Sequence, residues 1–515
     1  MVKSMNVAWW VERWASFSPA KTALVFGGET ISYSDLHRRA NRTSCWLQDL
    51  GIEKGDRVAT FLHNCAEFIE LYLACARIGA IFVPVNFRLA PPELEYILNS
   101  SRPGLLVYGT DYAETIYALN LSERRPPLLW AKVGPGEGVP GSRDYSSEIA
   151  EFDGRMPFAG SALSVTDPEE RQVIMYTSGT TGHPKGAVLS HRKTFFNCLN
   201  AEIFFNLAHD DVLLVVMPLF HSGGLFIMAS PALYKGATQV IEPRFDAEAL
   251  FRDIEEYRVT TFLGVPTMYR QLFRVDPRTR ADLSSLKVCA IGGEKVTSQL
   301  IAECHRHGFR VRQIMGQTET SILLWASEEE SLQRPGTVGR PVFHAEVAVL
   351  NSTGVLVKPP EVGELVVRGA TLMKEYWHDP VETERTMKGG WLHTGDLARQ
   401  DEEGYFYLVD RVRDMYVSGG ENIYPAEVER VLAEHPGIEE AAVVGAPDEH
   451  WGEVGHCYVI CKQGVNLTAQ DVLGFCQGRL ARYKWPAKVV FCRDLPRTPL
   501  GKVRKFLLKK RMQED

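Results

Sequence analysis

The stretch YTSGTTGHPKG, Tyr176–Gly186, decides how this chain is read. It follows one apolar run, Val173–Tyr176, and precedes another, Ala187–Leu189, so it reads as a loop joining two strands. Its eleven residues hold three glycines, five hydroxyl groups and one lysine. Glycines let successive backbone N–H groups turn inward, hydroxyls add donors, and Lys185 adds a point charge. Together they form a cradle for a polyphosphate. A Walker-type loop is excluded, because it needs Gly-Lys followed by Ser or Thr at the start of a helix. Here Pro184 precedes Lys185 and Gly186 follows it. The plain alternative is a flexible Ser/Gly surface loop, but such linkers rarely carry Pro-Lys-Gly directly before an apolar strand.

On either side of this loop, short apolar runs alternate with helical patterns through the first 400 residues. Val212–Met217, Thr260–Val265 and Val288–Ile291 read as strands, with Ala247–Tyr257 and Val296–His307 as helices between them. Continuously apolar strands belong in parallel sheets covered on both faces, which predicts an α/β fold. From about Ala345 the texture changes to strands and turns, at Val347–Leu350, Glu364–Arg368 and Tyr405–Val409, predicting a β-barrel-like subdomain over 345–410. After Asp410 comes a smaller α+β unit. Its helices are predicted at Ala426–Glu434 and Ala469–Ala481, its strands at Ala441–Gly445, His456–Cys461 and Lys488–Phe491, and a basic helix ends it.

Composition narrows the class. A length of 515 residues is a soft prior for about three domains. With 45% hydrophobic residues and a formal charge of −7, neither a disordered chain nor a globally basic nucleic-acid binder fits. Ten cysteines include no Cys-x-x-Cys pair, which argues against a zinc ribbon or thioredoxin-type site and for a reducing compartment. Cys304, His305 and His307 could ligate a metal, although a surface helix with ordinary side chains is the plainer reading. No secretory leader is read at the N-terminus, where Glu12 and Arg13 interrupt the apolar stretch. Val212–Tyr234 spans 23 residues without a charge, but Pro218, Gly223, Gly224 and Pro231 break it. It reads as a buried strand, a turn and a buried helix of a soluble protein.

Three further motifs carry chemistry. MGQTET, Met315–Thr320, combines a close backbone approach with a hydroxyl and a carboxylate; Glu319 beside phosphates calls for a bridging Mg²⁺. WLHTGDLA (Trp391–Ala398) and DRVRD (Asp410–Asp414) supply Asp396 and Arg411. LPRTPLGKVRK, Leu495–Lys505, fixes a loop before Lys502.

In this order, the motifs resemble the adenylate-forming superfamily: acyl-CoA synthetases, firefly-type luciferases and peptide-synthetase adenylation domains. The resemblance runs over nearly the whole chain and is strongest toward an acyl-CoA synthetase. It implies an AMP-binding domain at 1–410, made of two doubly wound sheets plus the β-rich subdomain, and a small mobile C-terminal domain at 411–515. It implies that Thr177, Ser178, Gly179, Thr180, Thr181 and Lys185 hold the ATP β- and γ-phosphates. Thr318 would lie at the α-phosphate and Glu319 on Mg²⁺. Met315, Gly316 and Gln317, with the loop Gly292, Gly293 and Glu294, would border adenine, Met315 standing where the family has an aromatic residue. Asp396 and Arg411 would take the ribose, Arg413 would be the hinge, and Lys502 the catalytic lysine. Rotation of the small domain would bring Ser418–Pro425, with Gly419 and Gly420, against a pantetheine tunnel.

The implied reaction joins a carboxylic acid to AMP, releases pyrophosphate, and passes the acyl group to the thiol of CoA. His221 matches a residue near the reacting carboxylate, with a core histidine as an equal alternative. No Asp stands beside it to pair an amino group, which favours a plain aliphatic or aryl acid of modest size. Phe226, Ile227, Gly264, Val265, Ile322 and Leu323 are the candidate walls of the acyl pocket. No carrier-protein module follows Asp515, so free CoA is the expected acceptor. A carrier-loading adenylating enzyme and a non-catalytic nucleotide-binding relative are the alternatives. The reading places the protein in the cytoplasm, leaves a homodimer open, and marks Lys502 as a target for a lysine acetyltransferase. The charge is uneven: residues 479–511 carry +11, leaving −18 for the remainder. That local basic segment suits a small polyphosphate partner rather than nucleic acid.

Overall fold

The computed structural model describes residues 3–119, 128–154, 167–177, 183–276, 282–293, 296–351, 353–411, 416–496, 503 and 505–512. Its two largest sheets follow the predicted α/β pattern. In the nine-stranded sheet, Val311–Gln317, Val288–Ile291, Thr261–Gly264, Val212–Val215, Thr238–Ile241 and Thr22–Phe26 run parallel in that spatial order. Antiparallel strands close both edges. The eight-stranded sheet has parallel pairings across Arg171–Thr177, Ile81–Pro84, Arg57–Phe61, Leu105–Gly109 and Leu129–Val133.

The largest core lies between these sheets and draws side chains from both. Helix Ala66–Ile78 sits there with nearly every residue buried, as a helix apolar around its whole circumference must. The outer faces carry separate cores. Ala247–Tyr257, Pro266–Arg274 and Ser298–Arg306 cover the nine-stranded sheet, and Pro91–Ser101 covers the other. The two sheets are thus fixed rigidly to each other through apolar packing.

The phosphate-loop motif is the turn of a hairpin. Arg171–Thr177 pairs antiparallel with Lys185–Ser190, and Thr177 faces Lys185 in register. A strand, not a helix, therefore follows the loop. Residues 345–411 form the predicted antiparallel layer, with Ala345–Leu350, Val362–Gly369, Trp391–Gln400 and Phe406–Arg411 as its main strands. The small domain packs helices Pro425–Ala433 and Ala469–Cys476 on a sheet whose longest pair is Ile438–Asp448 with Gly452–Cys461.

Two local expectations need correction. The helix from Ala469 ends at Cys476, five residues early, where Gln477 turns extended and Gly478 takes φ +72°. The uncharged stretch starts as strand Val212–Val215, but its buried helix opens with a π-helical turn, Gly223–Ala229, before Ser230–Lys235. Among the described residues, no helix is long and apolar enough to cross a membrane.

Candidate active site

Val212–Val215, Thr261–Gly264, Val288–Ile291 and Val311–Gln317 are neighbours in the sheet, and the chain beyond their C-terminal ends borders a cleft of about 1510 Å³. Ligands of open α/β sheets bind at such strand ends. Met217 and His221 follow the first strand, Val265 the second, Gly292 and Gly293 the third, and Thr318 and Glu319 the fourth.

Steric closeness fixes the glycines here. A Cβ on Gly316 would lie 1.9 Å from the Ser321 carbonyl oxygen, across the hairpin that holds Thr318 and Glu319 at its tip. A Cβ on Gly292 would lie 2.5 Å from the Ile314 carbonyl oxygen. The Tyr376 hydroxyl donates to Glu319 Oε1 at 2.9 Å. Burial and the neighbouring Glu319 charge push that hydroxyl's pKa up, so Tyr376 stays a donor. A carboxylate has roughly four acceptor sites, so Glu319 keeps capacity for a hard cation.

Lys185 Nζ pairs with Glu382 Oε1 at 2.6 Å, both groups largely buried. Asp396 is 2% exposed and accepts from Gln317 Nε2 at 2.8 Å, while the same amide also donates to the Thr394 carbonyl. Arg411 lies opposite Asp396 in the strand register, which brings the two motifs together.

Beneath this hairpin lies Lys193, fully buried at the start of helix His191–Phe205. Its ammonium donates to Ser321 Oγ and sits 5.1 Å from the Phe226 ring centroid. Burial pushes its pKa down to about 7, with the Glu319 charge opposing.

The small domain completes the cleft with Gly420 and Tyr424. Gly419 and Gly420 both take positive φ, +57° and +84°, and a Cβ on Gly419 would meet the Trp451 ring at 2.9 Å. That turn presents Glu421, whose Oε2 lies 2.7 Å from His221 Nε2. Arg88 of the large domain pairs with the other oxygen of Glu421. Burial pushes the Glu421 carboxyl up, but the His221, Arg88 and Lys484 charges outweigh it and hold the group below its ordinary value.

The structure brings Thr177, Lys185, His221, Gly292, Gly293, Met315, Gly316, Gln317, Thr318, Glu319 and Gly420 to one cleft. His221 is partly exposed on its wall, so the core-histidine alternative fails. Ser178, Gly179, Thr180, Thr181, Glu294, Arg413 and Lys502 lie outside the described residues, as does the Arg411 side chain.

The acyl-pocket expectation needs correcting. Ile227, Val265 and Ile322 border the cleft, whereas Phe226, Gly264 and Leu323 do not. Neighbours along a strand point to opposite faces. Leu323 is therefore turned into the core, and Gly264 faces the Phe262 and Tyr269 rings. Phe226 is buried under the Lys193 ammonium. Leu263 and Met217 take their places on the wall.

Tyr376, Glu382 and Lys193 were not foreseen. No spacing links them to their partners; only Glu421, the one carboxylate in Ser418–Pro425, could have been picked out. Cys304 packs in a core, His307 stacks on Phe273, and no metal-ligating cluster occurs among the described residues.

Comparison with known proteins agrees with this geometry. A family model described as AMP-binding enzyme matches residues 11–377, and one for the AMP-binding enzyme C-terminal domain matches 427–502. A feruloyl-CoA synthase from Amycolatopsis is 38% identical over 99% of this chain and 100% of its own. An indoleacetate–CoA ligase from Aromatoleum aromaticum is 39% identical over 97% of each. The o-succinylbenzoate CoA synthetase of Bacillus subtilis is similar in structure. As a double mutant with a product analogue, OSB-NCoA, it superposes with TM-score 0.86 at 30% identity, over 97% of this chain and 98% of its own. With its acyl-adenylate intermediate bound, the TM-score is 0.70 at 31% identity, over 97% of each chain. Such ligases activate an acid as acyl-AMP and pass it to CoA, using ATP and Mg²⁺, and this chain belongs to that AMP-binding enzyme family.

Proposed function

We propose that the acid activated here is an aromatic or arylalkyl carboxylic acid of modest size. The observation that carries this is the apolar wall formed by Met217, Ile227, Leu263, Val265 and Ile322, beside Gly292 and Gly293. The names of the two curated relatives, a feruloyl-CoA synthase and an indoleacetate–CoA ligase, support the same class.

In the first step a carboxylate oxygen attacks the α-phosphorus, and the bond to the β-phosphate oxygen breaks with release of pyrophosphate. Lys185 exchanges Glu382 for the phosphates, Asp396 takes the ribose hydroxyls together with Arg411, and Thr318 lies at the α-phosphate. Glu319 would hold Mg²⁺, which supplies charge neutralisation to the phosphates when bound. Lys502 would bridge the attacking carboxylate and the α-phosphate, so acetylation there would silence this step. In the second step the CoA sulfur attacks the carbonyl carbon, its proton is released, and AMP departs with the bonding pair. Gly420, Tyr424 and the His221–Glu421 pair line the thiol's approach. The higher TM-score to the CoA-product complex than to the adenylate complex supports the present arrangement as that of the second step.

The large domain is taken to end near residue 410, with Arg413 as hinge. The cytoplasm is taken as the setting, in keeping with ten cysteines that form no disulfide. The test is pyrophosphate release with a panel of hydroxycinnamic, indoleacetic, phenylacetic, benzoic, hexanoic and palmitic acids. Aromatic acids should give the highest kcat/KM; a preference for palmitic acid would overturn the assignment.

A further inference from the structure

We propose that Glu93 and Lys484 are positioning residues for the thioester-forming step: a buried ion pair between the two domains that seats Glu421 against His221. The proposal rests on the two-step reading above. Lys484 lies in the short turn Arg482–Lys484 of the small domain and is 3% exposed. Its Nζ donates to Glu93 Oε1 at 2.6 Å and to Glu427 Oε1 at 2.8 Å. Glu427 belongs to the small domain's own helix Pro425–Ala433, but Glu93 belongs to Pro91–Ser101 of the large domain.

Glu93 is also nearly buried. Its second oxygen accepts the Ala90 N–H at 2.9 Å, closing the start of its own helix, and the Ala481 N–H of the small domain at 2.8 Å. Beside this pair, Asn86 Nδ2 donates to the Tyr483 hydroxyl at 3.2 Å. One short segment of the large domain, Asn86 to Glu93, thus holds the small domain at three points. The third is Arg88 on Glu421. On the small-domain side, Glu421 and Glu427 flank Tyr424, which borders the cleft. The pair and the His221–Glu421 contact are therefore tied together on both domains by short stretches of chain.

The Lys484–Glu427 contact lies within the small domain and travels with it. The Lys484–Glu93 contact exists only in the present arrangement, so its free energy acts on the equilibrium between arrangements. Glu93→Gln removes only the cross-domain charge, because Lys484 keeps Glu427, whereas Lys484→Met strands Glu93 in this arrangement alone, since Glu93 regains water when the domains part, and strands Glu427 in either. A residue outside the cleft lining then governs one half-reaction and not the other.

Glu93→Gln and Lys484→Met in the full chain test this. In a single turnover of enzyme-bound acyl-AMP with CoA, both should slow thioester formation by about ten- to a hundredfold. ATP–pyrophosphate exchange should stay within about twofold of the parent, which also certifies that the variants fold. Parallel loss of both activities, or no change in either, overturns the proposal. Small-angle scattering of the CoA-free protein decides it independently of catalysis. Lys484→Met should widen the distribution of domain arrangements, and a profile identical to the parent's would overturn the latch. Absent exchange in the parent would count against the ligase reading instead.

Discussion

The large domain builds its side of the cleft from the ends of parallel strands set in a continuous apolar core, whereas the small domain is held against it through charged side chains. Gly292 and Thr318 directly follow strands Val288–Ile291 and Val311–Gln317, and Met315 lies on the second of these, among largely buried residues. Between the domains, Glu421 meets His221 and Arg88, and Lys484 meets Glu93. Apolar packing is non-directional and tolerates no large rearrangement without exposing area to water. A buried ion pair that regains water when its halves part loses their mutual attraction but recovers their hydration, so it can be broken and remade. The difference teaches where a two-step ligase keeps its fixed geometry and where it keeps its moving part.

Substitutions on the two sides should therefore fail at different steps. On the fixed side, Glu319→Gln removes the charge proposed to hold Mg²⁺. Acyl-AMP formation should fall by about a hundred- to a thousandfold, read as pyrophosphate release across a Mg²⁺ titration. An unchanged Mg²⁺ dependence would break the comparison at its strongest point. On the moving side, Glu421→Gln keeps a hydrogen bond to His221 but loses the charge. CoA transfer from supplied acyl-AMP should slow by about tenfold with pyrophosphate release retained. The smallest effect concerns the hairpin's support. Lys193 has a pKa near 7 when folded and 10.5 ordinarily. Between those values the unfolded chain binds the extra proton, so the parent's stability rises with pH. Thermal melts should show Lys193→Met gaining most over the parent at pH 6 and least near pH 10.

Much of the fixed side was legible from residue order, because glycine, hydroxyl and carboxylate positions follow directly from strand ends. The hairpin around Tyr176–Gly186 was read as strand–loop–strand, and Gly292, Gly293 and Met315–Glu319 do border one cleft. Alternation within strands was harder. Both members of each adjacent pair, Gly264 with Val265 and Ile322 with Leu323, were expected on the wall, but only Val265 and Ile322 border the cleft. Contacts between distant segments left no trace in spacing. Tyr376 is 57 residues from Glu319, Glu382 is 197 from Lys185, and Glu93 is 391 from Lys484. Each is an ordinary residue on an ordinary helix or strand until the fold brings its partner near. The basic segment 479–511 reads as suited to a small polyphosphate partner, yet Lys484 within it is buried between two carboxylates of the protein itself.

The division of labour between the two sides is tested most directly by Lys502→Ala, assayed for both half-reactions on one preparation. ATP–pyrophosphate exchange with the preferred acid should be lost, while supplied acyl-AMP still yields the CoA thioester at close to the parental rate. Exchange at the parental rate, or loss of both steps together, would contradict it.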